Sequence, residues 1–133
     1  MRARSLNPDG LPAPAGPYVH VATASPGELV FVSGQIALDG EGKLVGEGDI
    51  EAQTEQVMQN LGLALAAVGA RFADVRKITN YLLDVEEYPK VAPIRERYLS
   101  EPYPASSMVE VSALLFPQLL IEIEAIAVIP AKA

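Results

Sequence analysis

Apolar and polar residues alternate along Leu120–Ile129, a period of two that predicts a strand. Ile121, Ile123, Ala125, Ala127 and Ile129 fall on one face of it. Glu122 and Glu124 fall on the other, ~7 Å apart, and that face turns apolar at Ile126 and Val128. Acid mixed with large aliphatics suits neither bulk water nor a core. The stripe therefore predicts a surface that another subunit or a ligand completes.

Elsewhere the period lengthens to that of a helix. Ile50, Val57, Leu61, Leu65 and Val68 predict a helix over 50–68, N-capped by Asp49, favoured by Glu51 in its first turn and stopped at Gly69. A second helix is expected from about Glu86 to Leu99, with Val91, Ile94 and Tyr98 as a narrow apolar stripe. Pro89 suits its start, and Pro93 is tolerable only near the first turn. Strands are expected at Tyr18–Thr23, Leu29–Gln35, Val75–Asp84 and Ser107–Leu114, with a turn at Ser25-Pro26-Gly27. Residues 1–17, rich in Pro and Gly, predict an irregular arm.

The resulting order, ββαβαββ, describes one α+β domain over 1–133, with both helices on one face of a mainly antiparallel sheet. The other face then has no cover within the chain. Three or so such sheets closing edge to edge would bury it, so the pattern asks for an oligomer.

Composition narrows the chemistry. The net charge of −7 repels phosphodiester chains, so nucleic-acid binding is not expected. Cysteine is absent, which removes thiolate metal sites and cysteine nucleophiles. A single histidine, His20, makes a poor basis for a metal site, and none is expected. No apolar run is long enough to span a membrane and no apolar segment follows Arg2 and Arg4, so a cytoplasmic protein is expected. Gly40, Gly42, Gly46 and Gly48 lack the spacing of a phosphate loop. Asp84, Glu86 and Glu87 read as a solvated helix start rather than a metal site.

Several short motifs occur in order: Gly16-Pro17-Tyr18, Val32-Ser33-Gly34-Gln35-Ile36, Gln53/Gln56/Asn60-Leu61, Val75/Lys77, Tyr98, Pro104-Ala105, Val109-Glu110-Val111 and Ile121–Ala127. Together, from about Gly16 to Val128, they resemble the RidA/YjgF family of reactive-intermediate deaminases, also labelled the L-PSP endoribonuclease family. The resemblance implies a chorismate mutase-like fold and a homotrimer with clefts between neighbouring subunits. It also implies cofactor-free hydrolysis of a 2-imino or enamine acid, in which an arginine after Pro-Ala holds the substrate carboxylate. Carried onto this chain, the site comprises Tyr18, Ser33, Gly34 and Glu122, and the arginine position is Ser106. An asparagine expected early in the second helix is Ala92.

Serine supplies one rotatable hydroxyl where arginine supplies a charged fork, and losing such an anchor in a closed cleft costs ~2 to 5 kcal/mol. A weak or altered imine/enamine hydrolase is therefore expected, with a neutral or cationic ligand. A working 2-iminobutanoate/2-iminopropanoate deaminase and a non-enzymatic interaction trimer are the alternatives. The endoribonuclease label is disfavoured by the acidic charge. Arg95 and Arg97 on the second helix, and Arg71 after the first, are expected on the solvated outer side. Arg2, Arg4 and Lys43 are expected on mobile segments.

Each site residue also has a plainer role open to it. Glu122 suits proton transfer, because close carboxylates raise one another's pKa, and equally an interface ion pair. Glu124 reads as structural. Tyr18 suits ligand contact or interface packing. His20, on Tyr18's face, suits a ligand contact or general base, or simple exposure. Ser33-Gly34 suits close backbone approach to a ligand, or a bulge. Ser106 has no neighbouring base in the sequence and is kept as a ligand contact rather than a nucleophile.

Overall fold

The computed structural model describes residues 3–132. Arg2 lies outside the described residues. The elements are β1 (Ser5–Leu6), β2 (Val21–Ala22), β3 (Gly27–Gln35), α1 (Ile50–Ala66), β4 (Val75–Leu82), α2 (Tyr88–Tyr98), β5 (Ala105–Glu110) and β6 (Ile121–Pro130). β3, β6, β4 and β5 form the main sheet in that order, and β1 pairs with β2 in a separate ribbon. β6 runs antiparallel to both neighbours, while β4 and β5 are parallel, joined by the crossover that contains α2.

Local chemistry fixes the helix ends. Asp49 Oδ1 accepts from the backbone N–H groups of Glu51 and Ala52, each at 3.1 Å, and so caps α1. Gly69, at φ +77°, lets the chain leave α1 in a left-handed turn. α1 buries Val57, Met58, Leu61 and Leu65 against the inward face of β6, where Ile121, Ile123, Ala125 and Ala127 are also buried. The period-two reading of β6 holds from Ile121 to Ala127 and breaks at its end, where Val128 is buried and Ile129 only half-buried. Gln53, fully buried on α1, donates to the Gly46 and Gln118 carbonyls and accepts from Leu120 N–H, tying the entry of β6 to the helix.

Several expectations need correction. The strand over Tyr18–Thr23 shrinks to Val21–Ala22, because its partner is the arm: Ser5 pairs with Ala22 and Leu6 with Val21. The arm is thus less irregular than its Pro and Gly content implies, and its Arg4 is not on a mobile segment. Arg76, buried in β4, donates to the Thr23 and Arg4 carbonyls and to Ser5 Oγ, which fastens both strands of the ribbon. The strand expected at Ser107–Leu114 begins earlier and ends at Glu110, since Ala105 already pairs with Lys77. The second helix starts with a single 3₁₀ turn over Val85–Glu87, and Pro93 lies inside α2 rather than in its first turn.

Candidate functional site

The sheet face away from the helices carries the acidic stripe. Glu122 lies opposite Tyr81 and Glu124 opposite Thr79 in the β6–β4 register. Further along, Phe31 pairs with Ile126 and Leu29 with Val128. Phe31 is 71% exposed and Leu29 60%, with Val109 also exposed on the β5 side. No element of the described chain covers Phe31, Leu29 or Val109, whereas Val128, expected on this face, is buried.

Glu122 and Glu124 differ in their surroundings. The Tyr81 hydroxyl donates to Glu124 Oε1, a bond that raises the tyrosine's own pKa. Glu124 is therefore a structural acceptor, as its position leads one to expect. Glu122 accepts no hydrogen bond among the described residues, and it sits against Gly34, where even a methyl group would collide with the carboxylate. Partial burial first, then the charge of Glu124, push its carboxyl above the ordinary range. The register slips between Val32 and Gln35, so Gly34 lies in a bulge that brings backbone close to Glu122. Ser33 is exposed there, and its carbonyl accepts from Gln35 Nε2 at 3.1 Å.

Tyr18 and Ser106 form a second group. They line a cavity of about 320 Å³ with Ala15, Val85, Tyr88 and Met108. Gly16 lets the arm lie close to Tyr88, since a Cβ there would stand 2.7 Å from the tyrosine hydroxyl. His20 is stacked edge-on to Tyr18 at 6.2 Å between ring centroids, and its Nε2 is 2.7 Å from the Pro12 carbonyl. That bond turns the imidazole toward the arm, and the ring does not line the cavity.

Ser106 and Glu122 point to opposite faces of the sheet. Ser106 pairs with Ile78, which pairs with Ala125 on the buried face, and Asn80 Nδ2 donates to Ser106 Oγ at 3.1 Å. Glu122, by contrast, sits beside Tyr81 on the open face. One chain therefore offers two separate groups, Gly34–Glu122 and Tyr18–Ser106, and it does not bring them together.

The expected placement of Arg95 on the solvated outer side is wrong. Arg71 and Arg97 are exposed and paired with Asp74 and Glu55, whereas Arg95 is 0% exposed. Its Nη2 donates to Ser106 Oγ at 3.3 Å and its Nη1 to the Tyr88 hydroxyl at 3.5 Å. The sequence carried a signal for this, because Arg95 follows Val91 by one helical turn and shares its buried face. Tyr88 and Asn80, also unnamed by the sequence reading, are the other side chains that complete the Ser106 surroundings. Lys43 pairs with Glu41 on an exposed turn. Among the described residues, no group of three or more His, Asp or Glu side chains could hold a metal ion, and no helix is long and apolar enough to cross a membrane.

The family model described as Endoribonuclease L-PSP matches residues 10–129. The chain is 38% identical to Protein DfrA of Myxococcus xanthus over 96% of this chain and 97% of that protein. It is 35% identical to the 2-iminobutanoate/2-iminopropanoate deaminase of Salmonella typhimurium, over 95% of this chain and 98% of that one. Among solved structures, the Rid-family protein YyfB of Yersinia pestis superposes with a TM-score of 0.88 at 34% identity, covering 97% of this chain and 100% of that one.

Proposed function

The chain belongs to the L-PSP endoribonuclease family, the family of the Rid proteins, and from that premise we propose that it is a homotrimeric hydrolase of small imines and enamines. Its clefts lie between subunits, with Tyr18 and Ser106 supplied by one chain and Glu122, Ser33 and Gly34 by the next. The observation that carries this reading is the orientation of Ser106 and Glu122 toward opposite faces of one sheet. A site that uses both needs a neighbour, and the exposed Leu29–Phe31 stripe provides a surface for one. The name of the Salmonella relative supports the reaction class.

In the reaction, water adds to the C=N carbon while the π electrons move to nitrogen, which takes up a proton. The tetrahedral carbinolamine then breaks its C–N bond, releasing ammonia and leaving a C=O group. Glu122 suits both proton movements, because its carboxyl has no hydrogen-bond partner among the described residues and a pKa raised above the ordinary carboxylate value. Ser106 contacts the substrate through a hydroxyl where the family resemblance places an arginine. That exchange weakens and alters the hold on substrate relative to an arginine-bearing member.

A coupled assay tests the reading. With 2-iminobutanoate generated by threonine dehydratase, the protein should accelerate release of 2-oxobutanoate and ammonia above the spontaneous rate, yet more slowly than an arginine-bearing relative. Spontaneous rates with both this substrate and an uncharged imine of similar size would leave only the non-enzymatic trimer.

A further inference from the structure

Burying a guanidinium costs several kcal/mol unless an anion and a full set of hydrogen bonds accompany it. Arg95 is fully buried, yet none of the ion pairs among the described residues includes it. Among the described residues, its hydrogen bonds go to neutral hydroxyls on Tyr88 and Ser106, and its buried Nε donates to nothing. The exposed Arg71 and Arg97 have carboxylate partners, and Arg76, the other buried arginine, donates to two backbone carbonyls and to Ser5 Oγ, whereas Arg95 has only two hydroxyls. The charge of Arg95 and its Nε are thus left uncompensated among the described residues.

The hydroxyls around it show which cavity the charge faces. Ser106 Oγ accepts from Arg95 Nη2 and from Asn80 Nδ2, both of which can only donate. The Asn80 amide cannot be turned over, because its Nδ2 also donates to the Ser107 carbonyl at 2.9 Å. With both lone pairs of Ser106 engaged, its O–H has to donate outward. The Tyr88 oxygen likewise accepts from Arg95, and the Tyr18 oxygen accepts from Ala15 N–H at 3.3 Å. Ser106, Tyr88 and Tyr18 all line the same cavity, whose remaining walls are Ala15, Val85 and Met108. The cavity thus presents hydroxyl donors, no acidic side chain, and a positive charge directly behind.

We propose that Arg95 is a positioning residue that makes this cavity select a substrate carboxylate, held by the Ser106 and Tyr88 hydroxyls that Arg95 polarises. The substrates are then imino or enamine acids, not the neutral or cationic compounds that serine at position 106 leads one to expect. The carboxylate lies against hydroxyls in place of a guanidinium fork, with the charge one bond behind. As a substrate assignment this rests on the hydrolase reading, but the binding preference stands without it.

Calorimetric titration of the intact protein with 2-oxobutanoate and with 2-oxobutanamide tests the proposal. The acid should bind at least ~10-fold more tightly than the amide. Arg95→Met should weaken the acid by about 10- to 100-fold and leave the amide unchanged, with Arg95→Lys restoring part of the loss. In turnover, KM for the imino acid should rise while kcat stays constant. The melting temperature of Arg95→Met should hold or rise, because an apolar side chain replaces an unpaired buried charge. Equal acid binding by Arg95→Met, or loss of both ligands together, would overturn the assignment. If Arg95→Met does not fold, Ser106→Ala carries the test, with a selective loss of the acid expected and an unselective loss or none overturning it. Selective acid binding without any turnover would instead reject the hydrolase reading and leave this site standing.

Discussion

Glu122→Gln should lower the rate of imine hydrolysis by about 10²- to 10⁴-fold without disturbing the fold. Glutamine keeps the shape that fits against Gly34 but cannot take a proton from water or return it to the departing amine. The wild-type profile of kcat/KM should rise with pH through a pKa above the ordinary carboxylate value, and the variant should lose that rise. Stability gives an independent check on the same group. A carboxyl whose pKa is raised by folding contributes stability below its unfolded pKa, and that contribution is lost as pH climbs through the folded value. Glu122→Gln should therefore melt higher than wild type at neutral pH, and the difference should vanish below the ordinary carboxylate range. A variant with full activity, or one less stable at neutral pH, would remove Glu122 from the proposed role.

Phe31→Asp should leave a folded chain that no longer assembles, and activity should fall by at least ~10²-fold with assembly. Phe31 is 71% exposed on the single chain and pairs with Ile126, so its ring contributes nothing to the buried helix–sheet core. In an assembly that covers the open face, an aspartate there would be a buried, unpaired charge on a strand next to one that carries Glu122 and Glu124. Light scattering gives the mass and circular dichroism the fold. A variant that stays trimeric, or a monomer that keeps full activity, would contradict the placement of the interface on this face.

Much of this was legible from local pattern. The alternation in β6 separates the buried and open faces from Ile121 to Ala127, because a strand's side-chain period is fixed by its backbone, and fails only at Val128 and Ile129 near its end. α1 was equally readable, since Asp49 and Gly69 mark its ends by local hydrogen bonding and a left-handed turn. What the pattern missed depended on distant partners. The arm strand Ser5–Leu6 exists because Arg76, more than seventy residues on, collects the carbonyls that hold it. A charged side chain reads as solvent-facing, yet helical phase puts Arg95 one turn after buried Val91 and so on the inward face. The division of the site also escaped notice. Resemblance alone places Ser106 and Glu122 in one cleft, and the β4 register reveals that they leave the sheet on opposite sides.

The central claim is that each site is shared between two subunits, and mixed assembly tests it most directly. Glu122→Gln disables one half of a site and Tyr18→Ala the other, and each variant alone should be nearly inactive. Co-expressed in equal amounts with different tags and purified as hybrids, they should recover activity. In a three-membered ring with one site per interface, every hybrid places an intact Tyr18 half beside an intact Glu122 half at one of its three interfaces, so about a third of wild-type activity is predicted. If Tyr18 and Glu122 served the same site from one chain, every site in every hybrid would carry a defect. Activity no higher than that of the separate variants would contradict the shared site.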